Sequence, residues 1–304
     1  MATPWGRLWT AMVTPYDGLG NVDYTVAASL ARRLVANGSD GVVVAGTTGE
    51  SPVLSLEERE RLCAAVKEGV GSEGLVIAAT GTNDTRKTVE WTVRAARLGM
   101  DGAMLVAPYY NKPPQSGIYQ HYRAVAEATA LPLMVYNVPS RTGVQITADT
   151  MARIAELPSV AAVKEASGDV LQVSRLRRLL PERVLIYSGD DPLTLPMLAL
   201  GAHGVVSVAS HVVGRSLHAM IDAFVVGDHE RAIRLHEALL PLFEAVFWES
   251  NPLPIKVMLE ALGIATGGWR LPLAAPAEET SRRLRQLISE MDSALMDVST
   301  SGGR

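Results

Sequence analysis

The feature that most constrains the chain is a repeat of short apolar runs. The first four are WTAMVTPY (9–16), GVVVAG (41–46), LVIAATG (75–81) and GAMLVAP (102–108). Four more follow: LPLMVYN (131–137), SVAAVKE (159–165), RVLIYSG (183–189) and GVVSVAS (204–210). They are continuously apolar rather than alternating, as parallel strands covered on both faces must be. Their starts are mostly some 23–32 residues apart, the length of one strand plus one crossover helix. Between them lie amphipathic segments with helix signals. The run 55–69 starts on Ser55 with Glu58 three residues on, a capping box, and is expected to end at Gly69. Three strand entries repeat one motif: NGSDGVVV, LGMDGAML and LGAHGVVS, with glycines at 38/41, 99/102 and 201/204. The first glycine of each pair suits a left-handed helix C-cap and the second a tight strand entry.

Eight such units predict an α/β fold, a (β/α)8 TIM barrel, over residues 1–227. A doubly wound sheet is the structural alternative. No G-x-G-x-x-G follows the first strand, which counts against a dinucleotide fold. Strand signals stop after residue 227. Segments beginning DHERAIRL, NPLPIKVM and APAEETSR read as three helices, a C-terminal helical domain over 228–304, with the final STSGGR frayed.

The net charge is −4 and no Lys/Arg cluster suggests a nucleic-acid surface, so a small-molecule partner is expected. The single cysteine, Cys63, allows no disulfide within the chain and favours a reducing compartment. The N-terminus lacks a signal-peptide pattern and no run of 18 apolar residues spans a membrane. A soluble, cytoplasmic protein is expected.

In such a barrel the chemistry sits at the C-terminal ends of the strands. Those ends read GTTGES, PYYNKPP, YNVPSRTG, KEASGD and SGDD. They supply a lysine, adjacent threonines, tyrosines and an arginine, but neither histidine nor cysteine. Imidazole-dependent nucleophiles are therefore disfavoured; the six histidines read as surface or helix positions. Glu50, Glu165, Asp190 and Asp191 match no ligand spacing, so no metal is expected.

Lys164 ends an apolar strand, and a lysine in such a setting loses hydration of its charged form. The free amine attacks a ketone, and the resulting iminium serves as an electron sink. Hydroxyls of Thr and Tyr can relay protons, and GTTG offers donors for a carboxylate. The plain structural alternative pairs Lys164 with Glu165. Adjacent strand residues point to opposite faces, which makes that pairing poor.

Together GTTGES, YYNKP, YNVPSRTG, VKEASGD and NPLPIK, in order from about residue 8 to 290, resemble the dihydrodipicolinate synthase family. These enzymes belong to the class I pyruvate aldolase superfamily, with N-acetylneuraminate lyase. The resemblance implies a lyase that condenses pyruvate with L-aspartate 4-semialdehyde and cyclises the product, an early step towards diaminopimelate and lysine. No cofactor beyond the covalent lysine–pyruvate Schiff base is implied. Lys164 takes the Schiff-base position. Tyr136, Thr47 and Tyr110 take those of the hydroxyl relay, with Tyr110 reaching in from a neighbouring subunit. Thr48 matches the residue that binds the pyruvate carboxylate, and Arg141 the guanidinium that holds the semialdehyde carboxylate, its planar fork suiting a carboxylate bidentately. Gly189 and Val206 match positions whose backbone lines the pocket. A homotetramer, a dimer of dimers, is expected. Without the resemblance, Tyr109–Tyr110 would read as rim packing, and Lys256 as a residue near the barrel mouth with no assigned role.

Some family members are inhibited by lysine between subunits. Ser51, Asn83 and Tyr109 match that site here, whereas Leu56, Arg59 and Lys87 replace its two histidines and its glutamate. A cationic ligand would meet like charge, unfavourable by roughly 1 kcal/mol or more, so feedback is expected to be weak or absent. Two rival readings stand: a pyruvate-dependent aldolase of a 2-keto-3-deoxy sugar acid or N-acetylneuraminate, against which Arg141 argues, and a catalytically silent oxo-acid binder.

Overall fold

The computed structural model describes residues 5–297. Its eight strands are β1 Leu8–Ala11, β2 Gly41–Val44, β3 Leu75–Ala79, β4 Gly102–Val106, β5 Leu133–Asn137, β6 Val160–Glu165, β7 Leu185–Ser188 and β8 Gly204–Ser207. All pair in parallel, in sequence order, and β8 closes on β1. Around them run α1 Tyr24–Ala36, α2 Leu56–Val70, α3 Thr85–Arg97, α4 Gln115–Ala128, α5 Pro139–Thr142 and α6 Ala148–Ala155. The series continues with α7 Leu171–Leu179, α8 Thr194–Ala199 and α9 Ser210–Val225. Then come the three C-terminal helices, α10 His229–Ala245, α11 Leu253–Ala261 and α12 Glu278–Glu290. The fold is the TIM barrel the apolar runs imply.

The core has two layers, as closure of a sheet on itself requires. Trp9, Val43, Ile77, Met104, Met134, Tyr136, Ala162, Tyr187 and Val206 fill the barrel interior. Val42, Val76, Leu105, Val135, Val163 and Ile186 face outward against the helices. One irregularity decides where the chemistry points. Between β5 and β6 the register passes from Leu133↔Val160 directly to Met134↔Ala162, so β6 carries one extra residue. Because side chains alternate, a one-residue slip turns every later side chain to the other face. Val160 packs outward, yet Ala162 lies in the interior and Val163 outward again. Lys164, two residues after Ala162, therefore shares the interior parity and lies opposite Tyr136.

Gly38, Gly99 and Gly201 all take positive φ, at 99°, 72° and 94°, as the repeated entry motif requires. The structure also corrects several expectations. β1 ends at Ala11, and α12 ends at Glu290. The helix that starts at Ser55 continues through Gly69 to Val70 and is capped by Gly71. Gly69 serves packing instead: a Cβ there would stand 2.5 Å from the Ala28 carbonyl oxygen of α1. Of the histidines, read as surface or helix positions, His121, His211, His218, His229 and His236 lie in helices, the first two buried, whereas His203 sits in a loop with its Nε2 3.2 Å from the Trp5 carbonyl oxygen. The terminal STSGGR, and the end of the third C-terminal segment from residue 298, lie outside the described residues.

Candidate active site

The turn after β2, residues 45–51, is held in an unusual shape. Ala45 and Glu50 both take left-handed backbone, φ 54° and 56°, without being glycine. Such conformations cost about 1 kcal/mol or more each and persist only where neighbours enforce them. Glu50 N–H donates to the Thr47 carbonyl (3.1 Å) and Ser51 N–H to the Gly46 carbonyl (3.1 Å), closing the turn. The Thr14 hydroxyl donates to the Gly49 carbonyl at 2.7 Å. Thr47 and Thr48 are thereby presented at the mouth of the barrel. Tyr110 and Lys112, also left-handed without being glycine, lie in the β4–α4 loop on the same rim.

Two cavities open there, of about 350 and 470 Å³. They share Thr47, Tyr136, Val138, Arg141 and Asn251 as walls. Arg141 is exposed, on the short helix α5. Thr48, Gly189 and Asp190 line the second cavity.

Lys164 lines neither cavity; it lies behind Tyr136 and Gly189, which do. It is 5% exposed, its ammonium lies 4.4 Å from the Tyr136 ring centroid, and the two residues are partners across β5 and β6. Burial lowers its pKa to about 8, with Arg141 pushing the same way against the opposing pull of Asp191 and Asp190. Burial raises the Tyr136 phenol; Arg141 and a hydrogen bond with Thr47 act in the opposite sense. Asp190 is pushed up to about 6 by burial and then by Asp191. Asp191, 1% exposed, accepts from the Ser207 hydroxyl (2.5 Å) and from Val208 and Ala209 N–H (3.0 and 3.1 Å). It thus ties the β7 end to the β8 end. Glu165 accepts from Asn137 (3.0 Å) and Ser167 N–H (2.8 Å) on the outer side. Among the described residues it forms no ion pair with Lys164, as strand alternation implies.

Gly189 matters through what it lacks. A Cβ there would stand 2.6 Å from Ala166 Cβ and 3.0 Å from Lys164 Cε. The glycine makes the channel through which the lysine side chain passes. Val206 is buried in the barrel interior and is not among the residues lining either cavity. Tyr110 is 88% exposed and points at neither cavity of its own chain. Tyr109 lines the first cavity.

The remaining rim positions also have definite surroundings. Arg59 is buried, lies 4.0 Å over the Trp91 ring, and donates to Ser51 through both its carbonyl and its hydroxyl. Burial lowers its pKa to about 10. Leu56 is half-buried, Lys87 exposed, and Asn83 accepts from Asn111 through its carbonyl (3.0 Å).

Four residues enter the site's support that the strand-end reading left without a role. Lys256 is fully buried; it donates to Glu50 Oε1 (2.7 Å) and to the Gly268 carbonyl (2.9 Å), and lies 4.3 Å from the Tyr16 ring centroid. Arg270 N–H donates to Glu50 Oε2 (3.2 Å), while its side chain grips Glu58 at 2.9 and 2.5 Å. Asn251 Nδ2 donates to the Thr48 hydroxyl (2.9 Å). A lysine inside the apolar run PLPIKVML and a glutamate closing GTTGE were the available signals. Among the described residues, no group of three or more His, Cys, Asp or Glu gathers as a metal site.

A closed (β/α)8 barrel with an interior lysine at the end of its sixth strand, beside a tyrosine and threonine hydroxyls, defines an enzyme of the lysine-dependent class I aldolase type. The comparisons name the family. The model of the dihydrodipicolinate synthetase family matches residues 4–291, and the chain belongs to that family. A 4-hydroxy-tetrahydrodipicolinate synthase of Synechococcus elongatus is 54% identical over 289 residues, 95% of this chain and 97% of the relative. One of Desulforamulus reducens is 50% identical, over 94% and 97% of the two chains. The crystal structure of the enzyme from Cyanidioschyzon merolae with lysine bound superposes with a TM-score of 0.92 at 48% identity. It covers 94% of this chain and 97% of that one.

Proposed function

We propose that this enzyme condenses pyruvate with L-aspartate 4-semialdehyde to give 4-hydroxy-tetrahydrodipicolinate. The observation that carries the mechanism is the buried Lys164 amine, with a pKa of about 8, packed on Tyr136. In free-amine form Nζ attacks the pyruvate ketone carbon. The carbinolamine loses its oxygen as water, and the iminium forms. Loss of a methyl proton gives the enamine, whose carbon attacks the semialdehyde carbonyl. The substrate's own amine then attacks the iminium carbon, closes the ring and frees Lys164. No external oxidant or reductant is needed.

Each step moves a proton, and the hydroxyls of Tyr136 and Thr47 carry it. Tyr110, exposed on left-handed backbone at the rim, suits donation to the site of a second copy of the chain, as a dimer or a homotetramer would allow. Thr48 holds the pyruvate carboxylate. Arg141 holds that of the semialdehyde, and its freedom at the cavity mouth suits a ligand arriving second. Gly189 gives the lysine room, and Val206 backs the interior wall. No cofactor enters this scheme. No helix among the described residues is long and apolar enough to cross a membrane. Lysine feedback is weak or absent, because Arg59 already occupies the neighbourhood of Ser51 with its own hydrogen bonds.

Borohydride added with pyruvate, followed by peptide mass mapping, tests this reading. A reduced adduct on Lys164 and ring product from aspartate semialdehyde are expected. No adduct, or turnover of sugar aldehydes alone, overturns it.

A further inference from the structure

Lys256 is a fully buried charged residue that the mechanism does not use. It is no second nucleophile. Its ammonium already donates to Glu50 Oε1 and the Gly268 carbonyl and faces the Tyr16 ring. Burying such a pair is costly unless every partner is satisfied, and here both are. Glu50 spends its second oxygen on Arg270 N–H. The pair therefore fixes Glu50, the left-handed residue on which the turn after β2 closes.

A second tether reaches the same turn from the same part of the chain. Asn251, just before α11, donates to Thr48 Oγ1. A hydroxyl that accepts one hydrogen bond has its own hydrogen left to give. With Asn251 on one side, Thr48 is set to donate towards a ligand oxygen in the cavity it lines.

We infer that Lys256, through Glu50, and Asn251, through Thr48, are positioning residues that aim the carboxylate-binding turn, and so govern affinity for the first substrate rather than the second. This rests on the proposed function, in which Thr48 receives the pyruvate carboxylate. The second substrate's carboxylate is assigned to Arg141 on α5, which shares the cavity walls with Asn251 but is hydrogen-bonded to neither tether among the described residues, so the two Michaelis constants separate the effect from general damage to the fold.

Lys256→Met removes the charge and leaves Glu50 unpaired. The double variant Glu50→Gln/Lys256→Met leaves no buried ion and guards against simple unfolding. In Asn251→Asp the new carboxylate takes the Thr48 hydrogen for itself. With folding checked by circular dichroism and gel filtration, the KM for pyruvate is expected to rise tenfold or more in each variant that folds. It rises most in Asn251→Asp, while the KM for aspartate semialdehyde stays within about threefold. An unchanged pyruvate KM in the folded double variant or in Asn251→Asp overturns the inference, as does an equal rise in both constants. Borohydride trapping on the unmodified enzyme runs alongside. A missing Lys164 adduct there would refute the proposed function itself, whereas a normal adduct with unmoved KM values refutes only the positioning role.

Discussion

Gly189→Ala puts the geometry around Lys164 to its most direct test. The added Cβ would lie 2.6 Å from Ala166 Cβ, 3.0 Å from Lys164 Cε and 3.2 Å from Lys164 Cγ. Carbon atoms in contact normally stand about 3.5–4.0 Å apart. The backbone has little room to retreat, since Gly189 N–H donates to the Glu165 carbonyl at 2.8 Å. The part most able to yield is the flexible end of the lysine. Restoring ordinary contact displaces Cε, and with it the amine, by roughly 0.5–1 Å. Misplacement on that scale costs on the order of 100-fold in rate, and the overpacking itself about 1–3 kcal/mol of stability. The assay is single-turnover imine formation, quenched with borohydride and read by mass, together with steady-state kcat/KM and a thermal melt. The expected result is a fall in kcat/KM of about 100-fold with a moderate loss of Tm and Lys164 still the labelled residue. An alanine variant with kcat/KM within twofold of the parent would refute the reasoning, since it would mean that the lysine does not depend on this channel.

Three further outcomes follow from the same site. Imine formation should rise with pH and level off above about pH 8. Burial lowers the Lys164 pKa to about 8, so the free amine appears earlier than on an ordinary lysine; a rate still climbing tenfold per unit at pH 9.5 would contradict this. Replacing Arg141 by Leu should raise the KM for aspartate semialdehyde by about 10–100-fold, the scale of losing a charge-assisted contact worth about 1.5–3 kcal/mol, and leave pyruvate trapping on Lys164 intact. L-lysine at 1 mM, an on-the-order-of saturating dose for a micromolar regulatory site, should leave the steady-state rate within about a tenth of its value; half-inhibition there would show that Arg59 and Lys87 do not block a cationic ligand.

Much of the barrel was legible because its signals are local. The apolar runs, the capping box at Ser55 and the glycine pairs each state their structure within a few residues, and all eight strands formed where those runs lie. The inventory of polar strand ends was legible for the same reason. What escaped depends on three-dimensional register or on distant partners. Nothing in SVAAVKE marks the extra residue that turns Lys164 inward, because Ala161 and Ala162 suit either face. Arg59 reads as a simple charge change, yet in the fold it is buried on Trp91 and bound to Ser51. Lys256 could not be assigned from its neighbours, since the carboxylate that accounts for it lies 206 positions away. Gly69 looked like a stop signal and proved to be a contact, because only the packed α1 reveals why a side chain is excluded there.

The tethers to the turn after β2 also bear on how the enzyme is born. Thr48 and Glu50 are made well before their partners Asn251 and Lys256, which lie 203 and 206 positions downstream. Contacts of such separation are slow to form, since the loop they close must be ordered before they repay it. On a ribosome, the turn after β2 is made some two hundred residues before its partners and stays unfastened until α11 has followed it. A nascent chain halted before residue 251 would carry Lys164 and most of the barrel, but not the clasp that sets the turn.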